Sequence, residues 1–465
     1  MNMINVRRLT VMTFLGAGML SGISAQVSPL QVDTLKETKI PDQWDLQSCI
    51  DYAKEQNITI RKNRITAVST QIDVKTAKAA LFPSLSFSTG HQVVNRPYQE
   101  TSSRVSGSEI ISSNSKTSYN GNYGLNASWT LYNGNKRLKT IQQEKLNNQM
   151  AELDVATSEN NIQESIAQVY IQILYAAESV KVNENTLQVS IAQRDRGQEL
   201  LNAGSIAKSD LAQLEAQVST DRYQLVTAQA TLEDYKLQLK QLLELDGENE
   251  MNIYLPALSD ENVLAPLPTK RDVYISALSF RPEIEASKLN VEASELGINI
   301  AKSSYFPTIS LSAGIGTNHT SGSDFTFGEQ VKNGWNNSIG LSVSVPIFNN
   351  RQTKSAVQKA KLQYETSMLS LLDEQKALYK TIESLWLDAN SAQQRYAAAN
   401  EKLKSTQISY ELISEQFNLG MKNTIELLTE KNNLLQAQQE QLQAKYMAIL
   451  NMQLLKFYQG DQLAI

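Results

Sequence analysis

Two periodicities alternate along the chain. From 135 to 196, and again from 351 to 419, no Gly or Pro interrupts the sequence, and apolar positions step by 3 and 4. The second stretch runs Ile382, Leu385, Ala389, Ala392, Tyr396, Ala399, Leu403, Thr406, Tyr410, Ile413 and Phe417; the first runs Ile162, Ile166, Val169, Ile173, Ala176, Val180, Asn183 and Leu187. A 3.5-residue seam sustained this far predicts coiled-coil helices on the order of 100 Å long, with Gln, Asn, Glu and Lys on the water-facing sides. Helices of about half that length are predicted at roughly 45–80 and 207–245. Two such halves add up to one long helix, which suggests that they stack end to end beside it.

The second pattern has period 2. In "YNGNYGLNASWTL" the residues Tyr119, Gly121, Tyr123, Leu125, Ala127, Trp129 and Leu131 share one face, with Asn, Gly, Ser and Thr on the other. "SIGLSVSV" sets Ile339, Leu341, Val343 and Val345 against Ser338, Gly340, Ser342 and Ser344. Alternation over about 10 residues with aromatics near the ends fits outer-membrane barrel strands.

Both patterns occur twice in the same order. "ALFPSLSFSTG" (80–90) is echoed by "SYFPTISLSAG" (304–314), so Pro83 and Pro307 lie 224 apart. Gly204 and Gly420 lie 216 apart. An internal duplication is the economical reading, with a hairpin loop about eight residues longer in the first copy. The expected organisation is a leader (1–25), an N-terminal extension (26–43), repeat 1 (44–245, β-hairpin 84–131), a connector (246–271), repeat 2 (272–460, β-hairpin 308–348) and a C-terminal end (461–465). The repeated proline junction is where a water-facing helix becomes a strand, because proline ends a helix and favours an extended residue before it.

Composition narrows the choice. The net charge of −5 argues against a nucleic-acid partner, and a single cysteine, Cys49, excludes an internal disulfide. Arg7 and Arg8, an apolar run to about Leu20 and the small Ala25 read as a secretory leader, too short to span a bilayer. The rest of the chain has no apolar run long enough for a membrane helix, yet four strands cannot close a barrel. Membrane strands must close, since an open edge in lipid leaves backbone groups unpaired. Several chains must therefore share one barrel.

The order and spacing of "WDLQSCIDYAKEQN", "FRPEIEAS", the two "FP" junctions, "LYNGNKR"/"IFNNR" and the two Gly turns resemble the TolC-like outer membrane efflux protein family over about 44–460. The resemblance implies a mainly α fold with a small β-barrel part. A long coiled-coil α-helical barrel would join an antiparallel transmembrane β-barrel shared by a homotrimer, four strands per chain. It also implies an exit duct in the outer membrane of a Gram-negative bacterium, with a long periplasmic part. Its partners would be a periplasmic adaptor, an inner-membrane pump and outer membrane lipid.

The family assigns roles to the Gly turns. Ala203, Gly204, Ser205 and Ile206, with Leu419, Gly420, Met421 and Lys422, would form the adaptor-docking tip. Glu426 would face the pore near its closed end, where three copies make an anionic ring whose crowding raises carboxyl pKa values. Thr429 stands where the family often has a second acid, and Glu430 is one residue out of phase. Asp210 and Lys422 match an acidic and a basic member of the polar links that close the tip; Phe417 matches a Tyr member and lacks its hydroxyl.

No motif for nucleophilic catalysis, nucleotide binding or a cofactor follows a strand, so no enzymatic activity and no cofactor are expected. His91 and His319 fall in the hairpins and read as rim residues ahead of metal ligands. The competing reading is a secreted or surface-attached coiled-coil protein without a pore.

Overall fold

A computed structural model of the chain describes residues 41–98, 102–106, 109–113, 116–246, 251–256, 263–321 and 325–463, with the backbone alone over 102–106 and 109–113. The expected leader and most of the expected extension lie outside the described residues.

The long helices are present at equal length. α3 (Lys136–Asn202) and α8 (Gln352–Asn418) each have 67 residues, about 100 Å of helix. Every seam position named above is buried or half-buried. Each long helix begins after two consecutive left-handed residues, Gly134 and Asn135 or Asn350 and Arg351. That conformation turns the chain sharply from strand into helix.

The half-length partner expected at 45–80 is two helices, α1 (Leu46–Gln56) and α2 (Ile58–Ala79). Asn57 breaks them: its backbone N–H closes α1 on the Ala53 carbonyl, and its side chain accepts from the N–H groups of Thr59 and Ile60 to start α2. In the second half the break between α5 (Lys270–Phe280) and α6 (Pro282–Ser303) falls at Arg281, ahead of a proline at the first helical position. α4 (Lys208–Leu242) and α9 (Thr424–Gln459) complete the columns. The halves do meet end to end. Asn57 Nδ2 donates to the Leu242 carbonyl at 3.0 Å, where α4 ends and α2 begins. The matching end of α9 meets the α5/α6 break, where the Arg281 guanidinium lies 4.1 Å from the Tyr458 ring.

The main core sits at this level. Trp44, Ile166, Tyr170, Ile173, Ile284, Ile382 and Tyr396 are almost fully excluded from solvent. The connector crosses here: Trp44 pairs with Asn252 and Tyr254 through the backbone. The Tyr170 hydroxyl donates to the Tyr254 carbonyl at 2.6 Å, and Trp386 Nε1 donates to Pro268 at 3.0 Å.

Beyond the junctions lies one antiparallel sheet in the order β1 (Ser84–Asn95), β4 (Thr117–Asn133), β5 (Thr308–Thr320), β6 (Asn336–Ser344). Its centre joins the two halves of the chain, β4 to β5. Two features of the loops were not foreseen: β2 (Ser102–Ser106) and β3 (Glu109–Ser113) pair in the longer first loop, and a helix of about two turns, α7 (Phe327–Asn333), occupies the second. Strand β4 also runs two residues past its expected end at 131, and β6 stops at Ser344, short of 348.

Candidate functional site: the helical tip and the open sheet

The two tip turns have the same backbone. After the C-caps Ala203 and Leu419 come Gly204 at φ +76° and Gly420 at φ +72°, left-handed positions where a Cβ would strain the chain though it would meet no neighbour. Gly204 N–H donates to the Leu201 carbonyl and Ser205 N–H to that of Leu200; Gly420 and Met421 do the same to Phe417 and Gln416, all at 2.8–2.9 Å. These are Schellman motifs, which satisfy the orphan carbonyls at each helix end.

The next helices start differently. At α9, Asn423 Oδ1 accepts from Glu426 N–H at 2.9 Å, while a Glu426 carboxylate oxygen accepts from Asn423 N–H at 3.2 Å, a capping box. Lys422 Nζ sits 2.6 Å from the other Glu426 oxygen. The Lys422 ammonium and the Asn423 N–H hold the Glu426 carboxyl below its ordinary range. The crowding expected of three copies belongs to the assembly; within one protomer the Lys422 pair lowers the Glu426 carboxyl. At α4, Asp210 accepts from Ala207 N–H at 3.0 Å, and no ion pair joins it to Lys422. Thr429 is exposed and donates to the Ile425 carbonyl. Glu430 accepts from Ser409 at 3.0 Å, tying α8 to α9.

Phe417 is not placed for polar contact. It is buried with Leu214 and Leu427, and Leu200, Tyr410 and Leu428 pack against them, forming a small core that holds both hairpins together above the turns. Ile206 is half-buried beside Gly197, against which the Leu214 side chain of α4 packs so closely that a Cβ there would require that side chain to move. Leu419, Met421 and Ile425 are exposed, so the second tip carries an apolar face and the first carries Ala203, Gly204 and Ser205.

One cluster near the tip was missed. Lys431 of α9 contacts the Asp221 carboxylate of α4 and the Ser190 hydroxyl of α3, and all three are buried. Burial pulls the Lys431 ammonium below its usual range, and the bond to Asp221 opposes that shift. Gln217 donates to the second Asp221 oxygen at 2.9 Å. Nearby, Gln193 of α3 donates to the Tyr410 hydroxyl of α8 at 2.9 Å.

At the far end the sheet separates its faces cleanly. Phe87, Leu125, Trp129, Leu311, Ile339 and Leu341 share one face by register, and Ser86, Asn126, Gly314 and Ser338 form one of the rows on the other. The apolar face is open: Phe87 is 68 % exposed and Ile339 83 %. Aromatics flank it at both ends. Phe82, Tyr305, Phe306 and Phe348 lie at the helix junctions; Tyr98, Phe325, Phe327 and Trp335 lie at the loop end, where His91 and His319 flank Gly121 on neighbouring strands. Pro83 and Pro307 each follow a helix C-cap by three residues, at Ala80 and Ser304. Trp129 Nε1 donates to the Leu81 carbonyl at 2.7 Å, pinning the first junction to β4. No group of three or more metal-ligating side chains occurs among the described residues.

The sequence model of the outer membrane efflux protein family matches residues 49–244 and again 273–460. The chain belongs to this family. Its relatives include the outer membrane efflux protein BepC of Brucella suis biovar 1, 24 % identical over 62 % of this chain and 60 % of BepC. They also include the outer membrane protein TolC of Escherichia coli, 24 % identical over 61 % of this chain and 58 % of TolC. The matches thus span about three fifths of these two relatives. Among solved structures, that of CusC, described with transmembrane channel formation, superposes with a TM-score of 0.75 at 19 % identity, over 90 % of this chain and 92 % of CusC. This outer membrane efflux protein therefore shares the fold of such channels and is an outer membrane protein. No helix among its described residues is long and apolar enough to cross a membrane.

Proposed function

We propose that three copies of this outer membrane efflux protein form a passive exit duct, its sheets closed into one barrel in the outer membrane and its helices into a periplasmic tunnel. The observation that carries this reading is the four-stranded sheet with an exposed apolar face and two unpaired edges, β1 and β6. Open edges are incompatible with lipid. Because four is even, β6 of one copy meets β1 of the next antiparallel, so the sheet closes by repeating itself, at 12 strands for a trimer.

In this reading the two matched halves descend from a duplication, with the domain boundaries given above, and the leader directs export. The energy comes from partners, an inner-membrane pump reached through a periplasmic adaptor. The tip residues Ala203, Gly204, Ser205, Ile206, Leu419, Gly420, Met421 and Lys422 receive that adaptor, and the exposed Leu419 and Met421 supply apolar contact. Three Glu426 side chains make an anionic ring at the closed end. Asp210 and Lys422 take part in polar links between neighbouring helices that close the tip, while Phe417 acts through packing. The cargo is a small toxic molecule, a metal ion or a secreted polypeptide, without catalysis by this chain.

Disulfide trapping tests the edge pairing. With Leu85→Cys on β1 and a scan of cysteines along 337–344 on β6, oxidation in membranes yields covalent trimers at one register. A protein that stays monomeric at every register and soluble without detergent contradicts the proposal and favours the pore-less coiled coil.

A further inference from the structure

We propose that the strand region of this duct is a charge-neutral sleeve that passes hydrated solutes of either sign, so that whatever sorting by charge the duct performs lies on the helical side. The inference rests on the barrel reading above. β1, β4, β5 and β6 are 12, 17, 13 and 9 residues long and contain no Asp, Glu, Lys or Arg, in a chain that is 20 % charged. On the apolar face that absence is dictated by lipid. On the polar face it is not, because a water-filled lumen tolerates charge freely and barrels use such positions to set selectivity.

The register shows what replaces charge. Across the sheet the polar rows read Ser84, Ser128, Ser312, Gly340; then Ser86, Asn126, Gly314, Ser338; then Ser88, Gly124, Gly316, Asn336. These side chains are short and leave the wall thin. Hydroxyls and amides both donate and accept, so they meet cations, anions and neutral polar groups through the same surface. Part of their capacity is spent within the wall: Ser84 and Ser128 hydroxyls pair at 2.8 Å, and Asn126 donates to Ser88 at 3.3 Å. Nothing in these rows concentrates one sign of charge. Charged side chains of both signs, absent from these rows, do occur at the helical end, where Lys422 and Glu426 lie partly exposed.

The test reads the local potential with reagents of opposite charge. Full-length Ser312→Cys protein in liposomes is treated at low ionic strength with a cationic trimethylammonium and an anionic sulfonate methanethiosulfonate. Each rate is divided by that of a small free thiol; Cys49 is fully buried and stays silent. The expected normalised ratio is within about threefold of one. Leu311→Cys, one residue along on the apolar face, reacts with neither reagent. Adding Asn126→Asp shifts the Ser312→Cys ratio towards the cation by about threefold or more. A Ser312→Cys ratio beyond tenfold in either direction, or a ratio blind to Asn126→Asp, overturns the neutral sleeve while leaving the barrel intact. Reaction at Leu311→Cys with silence at Ser312→Cys overturns the barrel reading itself, because the faces are then reversed.

Discussion

Lys431 on α9 is ion-paired with Asp221 on α4, and both side chains are buried. The pair joins the two helical hairpins of one protomer a few turns above the tip, and Ser190 on α3 completes it. A buried pair is costly to break from one side, because the surviving charge is left without water or partner. Lys431→Met is expected to cost about 3–5 kcal/mol, with Asp221→Asn close behind. The Lys431→Met/Asp221→Leu double variant, which leaves no orphan charge, recovers most of that loss. Denaturant midpoints of the detergent-purified proteins check it; equal losses in single and double variants would show that the charges do not depend on each other.

The tip turns set a second expectation. Gly420 sits at φ +72° with open space around it, so Gly420→Ala introduces backbone strain and no clash. The cost is about 1–2 kcal/mol, felt locally, and Gly420→Asn costs less because Asn tolerates the left-handed region. Limited proteolysis at the tip should accelerate for the Ala variant and least for Asn. Identical cleavage of all three would place the turn outside the ordered structure.

Acidification supplies a third. Lys422 and the Asn423 N–H hold the Glu426 carboxyl below the usual value of about 4.3. A carboxyl lowered in the folded state stabilises the fold above its unfolded pKa, and that contribution disappears as pH falls through the folded value. The first turn of α9 therefore stays ordered from pH 7 to 5 and loosens only below about pH 4. Hydrogen exchange at the tip reads this directly. Loosening already between pH 7 and 5 would mean that crowding of carboxyls in the assembly outweighs Lys422.

Much of this architecture is written in local periodicity. The seams of α3 and α8, the alternation of β4 and β6 and the twin Gly turns are short-range patterns, and each appears where its spacing puts it. The misses have physical causes. One Asn in a helical pattern is a weak signal, yet Asn57 caps two helices. Pro282 announces the matching break more openly. The Lys431–Asp221 pair was legible in part, since both fall on seam positions, Lys431 between Leu427 and Leu434, and Asp221 three residues after Val218. Which seam faces which is a tertiary fact, and no spacing reveals it. The role of Phe417 turned on the same point: its neighbours Leu214 and Leu427 come from two other helices.

The central claim is that this chain builds a closed, water-filled duct across the outer membrane. Single-channel recording of the detergent-purified protein in a planar lipid bilayer tests it most directly. Small, stable, cation-preferring steps are expected, with a cation preference that falls in Glu426→Gln. A protein that never inserts, and remains soluble without detergent, would contradict it.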